Sequence, residues 1–115
     1  MESGFDAALA AFQEIAATTA ECGVLTVSSC GHPALLDRGV IIAWLGAEWM
    51  AFRLHRGTAA RAGALALPLS EQCLPPKSAV LRGDWVSVHV ADSVHWYRFT
   101  EQAREQIRED AALAG

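Results

Sequence analysis

The chain has 115 residues and a mass of 12.3 kDa; 52% of it is hydrophobic, 19% is charged, and the formal net charge is −4 with a pI near 5.4. That is one domain's length with ample apolar surface, which excludes disorder and a fibrous repeat, and the acidic balance excludes a bulk attraction for nucleic acid or anionic lipid. Three cysteines, an odd number, argue against a disulfide scaffold and suit a reducing cytoplasm.

The amino terminus is acidic where a secretory signal is basic. The longest apolar run, residues 39–47, falls short of the roughly 20 residues a membrane-spanning helix needs. The expectation is a soluble protein without a secretory signal, and its unpaired thiols suit the cytoplasm. Eight arginines accompany a single lysine, Lys77, and alanine is frequent, a usage that fits a GC-rich bacterial genome.

Residues 5–21 predict a helix, because Phe5, Leu9, Phe12 and Ala16 form one stripe that Ala8, Ile15 and Thr19 widen. Ser3 is the expected N-cap, and Cys22-Gly23 ends the helix. A β-branched strand is expected over residues 24–28, then a turn over 29–33, an extended piece at 34–36 and a turn at Asp37-Arg38-Gly39. Residues 40–45 read as a strand buried on both sides, and 48–54 as its successor. Thr58 caps a short Ala-rich helix to residue 67, and 68–76 reads as a loop. A short strand at 79–81 and a longer one at 84–90 follow, before Asp92 caps a last helix to about residue 113. Trp96, Phe99, Ala103 and Ile107 form the inner stripe of that helix. Arg98, Glu101, Arg104, Glu105, Arg108 and Glu109 form a solvated outer face.

The whole chain, residues 1–115, is therefore expected to be a single α+β domain: a compact antiparallel sheet with N- and C-terminal helices and one short helix mainly on one face. Period-two alternation assigns Met50, Phe52, Leu54, Val86, Val88 and Val90 to the helix side. The same alternation puts Trp49, Arg53, Trp85 and His89 on the opposite face. Residues 40–45 add either Trp44 or the pair Ile41 and Leu45 to it. An open face carrying these aromatic and basic residues reads as an interface, because contiguous apolar patches mark binding sites and Trp and Arg are enriched at their hot spots.

Motifs for chemistry are sparse. The chain has no phosphate loop, no dinucleotide fingerprint, no H-E-x-x-H and no G-x-S-x-G. Cys22, Cys30, Cys73, His32, His89 and His95 lack the paired spacing of a zinc site, so no metal or cofactor is expected. Cys30 beside His32 is the one arrangement that could supply a thiol nucleophile. Charge is uneven. Residues 53–82 hold Arg53, Arg56, Arg61, Lys77 and Arg82 against Glu71 alone, a local +4 in a chain of −4, so the remainder is −8. Such a region could meet phosphates, although no nucleic-acid-binding signature accompanies it.

Several landmarks resemble the TfoX N-terminal-like family, which is related to the MmcQ/YjbR-like proteins. They are the Gly31-x-Pro33-Ala34-Leu35 turn, the Met50-Ala51-Phe52-Arg53-Leu54 strand, and Ala64-Leu65-Ala66-Leu67-Pro68 at the end of the short helix. Asp84-Trp85-Val86-Ser87-Val88, Trp96 and Glu101-Gln102-Ala103 complete the series, which covers nearly the whole chain. The family's central loop is usually richer in Gly, Arg and Met than Leu74-Pro75-Pro76-Lys77-Ser78 is here. The resemblance implies a compact α+β fold similar to secretion-chaperone-like folds and a link to regulation of DNA-uptake competence, and it carries over no catalytic residue. The resulting expectation is a non-catalytic protein-interaction or regulatory module that meets a protein partner or a second copy through Trp44, Trp49, Arg53, Trp85 and His89. The alternatives are a nucleic-acid-associated regulator using residues 53–82 and a thiol-dependent enzyme using Cys30.

Overall fold

The computed structural model describes residues 4–29, 31–73 and 84–114. In chain order the elements are α1 (Gly4–Ala20), β1 (Leu25–Ser29), β2 (His32–Asp37), β3 (Val40–Leu45), β4 (Trp49–Arg53), α2 (Ala59–Leu65), β5 (Glu71–Cys73), β6 (Trp85–His89) and α3 (Trp96–Ala114). The strands form one open antiparallel sheet in the order β1-β2-β3-β4-β6-β5. The protein is thus an α+β domain, as its patterning predicts.

Helix α1 buries the stripe Ala8, Phe12, Ile15 and Thr19. The Thr19 hydroxyl donates to the Ile15 carbonyl at 2.8 Å, so its burial strands no polar group. Gly23, at φ +91°, ends the helix: its N–H donates to Ala20 O and that of Val24 to Thr19 O, the paired bonds of a left-handed C-terminal cap. Between β2 and β3, Arg38 and Gly39 both have positive φ, the signature of a two-residue type I′ hairpin turn. The expected turn over residues 29–33 is tighter than composition suggests. Gly31, at φ +81°, lets β2 begin at His32. Pro33 is accommodated because its pairing with Ser28 needs no N–H from it. The Leu45 carbonyl is met instead by His32 Nδ1 at 3.1 Å.

The core lies between the sheet and its helices. Phe12 from α1, Ala64 from α2, and Trp96, Phe99, Ala103 and Ile107 from α3 pack with Leu35, Leu45, Met50, Phe52, Leu54, Val86 and Val88. Strand β3 departs from simple alternation through a β-bulge, where the register shifts between Leu35 and Leu36. Ile42 and Ala43 both join the helix-side core, so Ile41 and Trp44 share the other face while Leu45 turns to the helices. The expected choice between Trp44 and the pair Ile41 and Leu45 therefore resolves into Ile41 with Trp44.

Three further expectations are corrected. Residues 68–76 are not all loop, because Glu71–Cys73 adds a short sixth strand beside β6. Asp92 does not cap the last helix. It sits at φ −106°, ψ 21° within a 3-10 segment, Val90–His95, and the side chain of His89 caps that segment by accepting the Ala91 N–H at 3.0 Å. Arg104 does not belong to the solvated face of α3: it is buried, with Nε 3.3 Å from Asp37 Oδ2 and Nη1 2.9 Å from Glu101 Oε2. The expected N-cap Ser3, the expected strand at 79–81, Cys30, Lys77 and Arg82 lie outside the described residues.

Candidate interaction face

The face of the sheet opposite the helices has its own cluster: Ala34, Trp44, Ala51 and Trp85 are buried, with Val27, Ile41 and Trp49 packed against them. Among the described residues every member comes from a strand. Cross-strand register builds it row by row. Val27 opposes Ala34, Ala34 opposes Trp44, Trp44 opposes Ala51, and Ala51 opposes Ser87. Trp49 opposes His89, and Arg53 opposes Trp85. Trp44 is flanked in this row by Ala34 and Ala51, so its indole has room between two small side chains.

Trp49, Arg53, Trp85 and His89 lie at the register positions that alternation assigns, and Trp44 joins their side through the bulge, but the five are not equally accessible. Trp44 is 4% exposed and Trp85 only 1%, whereas Trp49, Arg53 and His89 are half-buried. An open pair at Trp49 and Trp85 is therefore not what the sheet presents. Trp44 is flanked by two rings: His32 at 5.2 Å and Trp49 at 4.8 Å, the latter edge-on at 76°. Trp49 reaches that position by folding over Gly46, where a Cβ would run into the indole.

The two polar members are engaged elsewhere. Arg53 Nη1 lies 3.6 Å from Asp110 of α3, which His55 Nε2 also meets at 2.9 Å. The His55 bond, aided by the charge of Arg53 and opposed by burial, holds the Asp110 carboxyl below its ordinary range. His89 spends Nδ1 on its cap, which leaves Nε2 as the donor facing Glu48 at 3.6 Å. The Glu48 carboxylate in turn occupies the space a Cβ on Gly4 would need, at the positive end of α1.

One feature distinguishes this face chemically. Among the described residues, no hydrogen-bond acceptor meets the buried indole Nε1 groups of Trp44 and Trp85. Trp96, on the helix side, donates to the Val88 carbonyl at 3.1 Å. A buried donor without a partner costs about 1–3 kcal/mol, and two on one face call for a reason.

The basic region does not form a common surface among its described members. Arg61 is buried, with Nη1 bonded to the Leu54 carbonyl at 3.1 Å and its backbone N–H to the Thr58 cap. Arg56 is exposed but pairs with Asp84 at 2.9 Å. Burial pushes the Asp84 carboxyl up, yet the bonds from Arg56 outweigh it and hold the group below its ordinary range. His32 is occupied by Trp44 and the Leu45 carbonyl, and Cys22 is exposed at the end of α1. No group of three or more His, Cys, Asp or Glu among the described residues is placed to hold a metal ion. No helix among them is long and apolar enough to cross a membrane.

Sequence reasoning missed the polar contacts that tie α3 to the sheet. The His55–Asp110 and Asp37–Arg104 pairs span 55 and 67 residues, and no local pattern announces them. It also missed a groove of about 480 Å³ between α1 and the start of α3, lined by Ala11, Glu14, Ile15, Thr18, Val94 and Tyr97 among others. There the bond from Tyr97 to Glu101 pushes the phenol up. Comparison of the chain with protein-family models, with curated proteins and with solved structures found no match.

Proposed function

We propose that the protein is a non-catalytic, cytoplasmic interaction or regulatory module that holds a protein partner on the tryptophan face of its sheet. The observation that carries this reading is the pair of buried indole donors at Trp44 and Trp85, for which the described residues offer no acceptor. A partner's backbone carbonyls would satisfy them. Half-buried Trp49 and His89 supply the first contact, and Trp49 swings off Trp44 as the partner seats. The landmarks that resemble TfoX N-terminal domains support the regulatory half of the reading. The nucleic-acid alternative gains nothing from Arg56 and Arg61, which are committed to Asp84 and to the Leu54 carbonyl.

Quantitative affinity capture from the native host tests this, with wild type, Trp49→Ala, Trp85→Phe and the groove variant Tyr97→Ala as baits. A specific partner should be retained by wild type and Tyr97→Ala. The two face variants should weaken its association by more than about 1 kcal/mol, with the fold intact by circular dichroism. A partner held equally by all four baits, or lost only with Tyr97→Ala, refutes the tryptophan face.

A further inference from the structure

The two edges of the sheet are built differently. β5 is three residues long and begins with Glu71, so it is short and charged, which are two usual defences of a sheet edge. β1, at the other edge, is the five-residue run Leu-Thr-Val-Ser-Ser. It has no proline, no charge and no register shift against β2. Among the described residues nothing pairs with its outer side.

Proline chemistry fixes which of its backbone groups face outward. Ser28 opposes Pro33, which has no N–H, so this is a non-hydrogen-bonded pair of the antiparallel ladder. The bonded pairs with β2 are then Leu25–Leu36, Val27–Ala34 and Ser29–His32. The N–H and C=O groups of Thr26 and Ser28 are left pointing away from the sheet. Thr26 and Ser28 are exposed, and Leu25, on the tryptophan side, is 59% exposed.

We infer that β1 is the contact for a second copy of this chain, pairing antiparallel with its own β1 about a two-fold axis at Val27. In that register Thr26 exchanges both backbone bonds with Ser28 of the other copy, and Ser28 with Thr26. Val27 meets Val27 at the close spacing of a non-hydrogen-bonded pair. Leu25 and Val27 of each copy extend one apolar strip across the joint, and the two six-stranded sheets become one.

Charge selects a second copy as the occupant. A two-fold contact sets each residue near the axis against its own copy, so any charge there repels itself. Molecules of net charge −4 must therefore meet through a neutral surface. Residues 22–36 contain no Asp, Glu, Lys or Arg, the longest such run in the chain, and β1 lies within that run. On α1, which packs against β1, the flank turned away from the Tyr97 groove carries Leu9, Gln13, Ala16 and Ala20, with Asp6 its one charge at the far N-terminal end.

The test uses the full chain and stands apart from the tryptophan face. Sedimentation equilibrium should show a concentration-dependent dimer. Thr26→Pro should shift it to monomer, because that N–H makes no bond to β2 and proline is tolerated facing outward on an edge. Circular dichroism checks that the variant folds. Hydrogen exchange on the wild type supplies a second readout: the Thr26 and Ser28 amides should slow as concentration rises, while the Val27 amide, bonded within the chain, is protected throughout. A monomer at the highest concentration its solubility allows overturns the inference and leaves the edge for a foreign strand. A dimer that survives Thr26→Pro, or forms with the Thr26 and Ser28 amides unprotected, also overturns it.

Discussion

The contact between Arg104 and Asp37 joins the last helix to the β2–β3 corner, and its asymmetry makes a sharp prediction. The two side chains are 7% and 6% exposed, with Nε 3.3 Å from Oδ2. Arg104 has a second partner in Glu101, at 2.9 and 3.2 Å, whose side chain is about one-third exposed. Removing the arginine leaves the Asp37 carboxylate buried with no cation beside it, a loss that typically costs about 3–5 kcal/mol. Arg104→Met should fall in that range, since methionine restores most of the packing of the stem but none of the charge.

Asp37→Asn should be milder. The amide oxygen can still accept from Arg104 Nε, Glu101 still neutralises the guanidinium, and asparagine suits the hairpin corner. The loss is then the difference between a charge-assisted and a neutral hydrogen bond, about 1 kcal/mol. Replacing both, as Asp37→Leu with Arg104→Met, should return stability to within about 1 kcal/mol of wild type, because the desolvation of two charges disappears with their attraction. Urea unfolding followed by tryptophan fluorescence measures all four chains. Equal losses for the two single variants, or a loss below about 1 kcal/mol for Arg104→Met, would refute the view that a buried carboxylate is being held by this one arginine.

Two other predictions concern the sheet's ends. Gly46→Ala should destabilise by about 1–3 kcal/mol and change the near-ultraviolet dichroism of the tryptophans, since its Cβ would displace Trp49 from its edge-on contact with Trp44; an unaltered spectrum would contradict that packing. Asp110→Asn should flatten the acid limb of the stability curve. The folded carboxyl binds its proton less readily than the unfolded one, so its contribution is present above the unfolded pKa and is lost as pH falls through the lower folded value, in the region below about pH 4. Unfolding curves on either side of that pH, for wild type and variant, show whether the difference closes in acid.

What could be read from the residues alone follows the range over which each force acts. Local periodicity is a nearest-neighbour property, so the stripes of α1 and α3 and the alternation of β4 and β6 were legible, and with them the α+β sheet. The helix end at Gly23 and the turn at Asp37-Arg38-Gly39 were legible for the same reason. Irregularities set by a neighbouring strand were not. The bulge at Ile42 lies in the pairing of β3 with β2, where Leu35 meets Ala43 and Leu36 meets Ile41, and it decides which side Trp44 takes. The β5 segment has little strand character of its own and is ordered by β6. The burial of Arg104 shows the same limit, since a helix-surface charge pattern looks solvated until Asp37 arrives from across the chain. For the candidate face, alternation placed Trp49, Arg53, Trp85 and His89 and left Trp44 open, and it did not show that Trp49 closes over Trp44 or that His89 becomes a cap.

The tryptophan face poses a choice between two physical accounts of the same residues. Among the described residues the helices pack on one side of the sheet and strand side chains alone cover the other, and large flat rings beside Ala34 and Ala51 do that well. A buried aromatic of this size removes about 150–250 Å² from water, worth roughly 4–6 kcal/mol as an upper bound. That explains large side chains at Trp44 and Trp85, but phenylalanine would provide most of it without burying a polar group. Trp96 shows that this fold can give a buried indole its acceptor. The covering role therefore accounts for the rings and not for the two N–H groups. It is those groups, with the half-open ring of Trp49 beside them, that make the face a candidate for binding and set it apart from a second core.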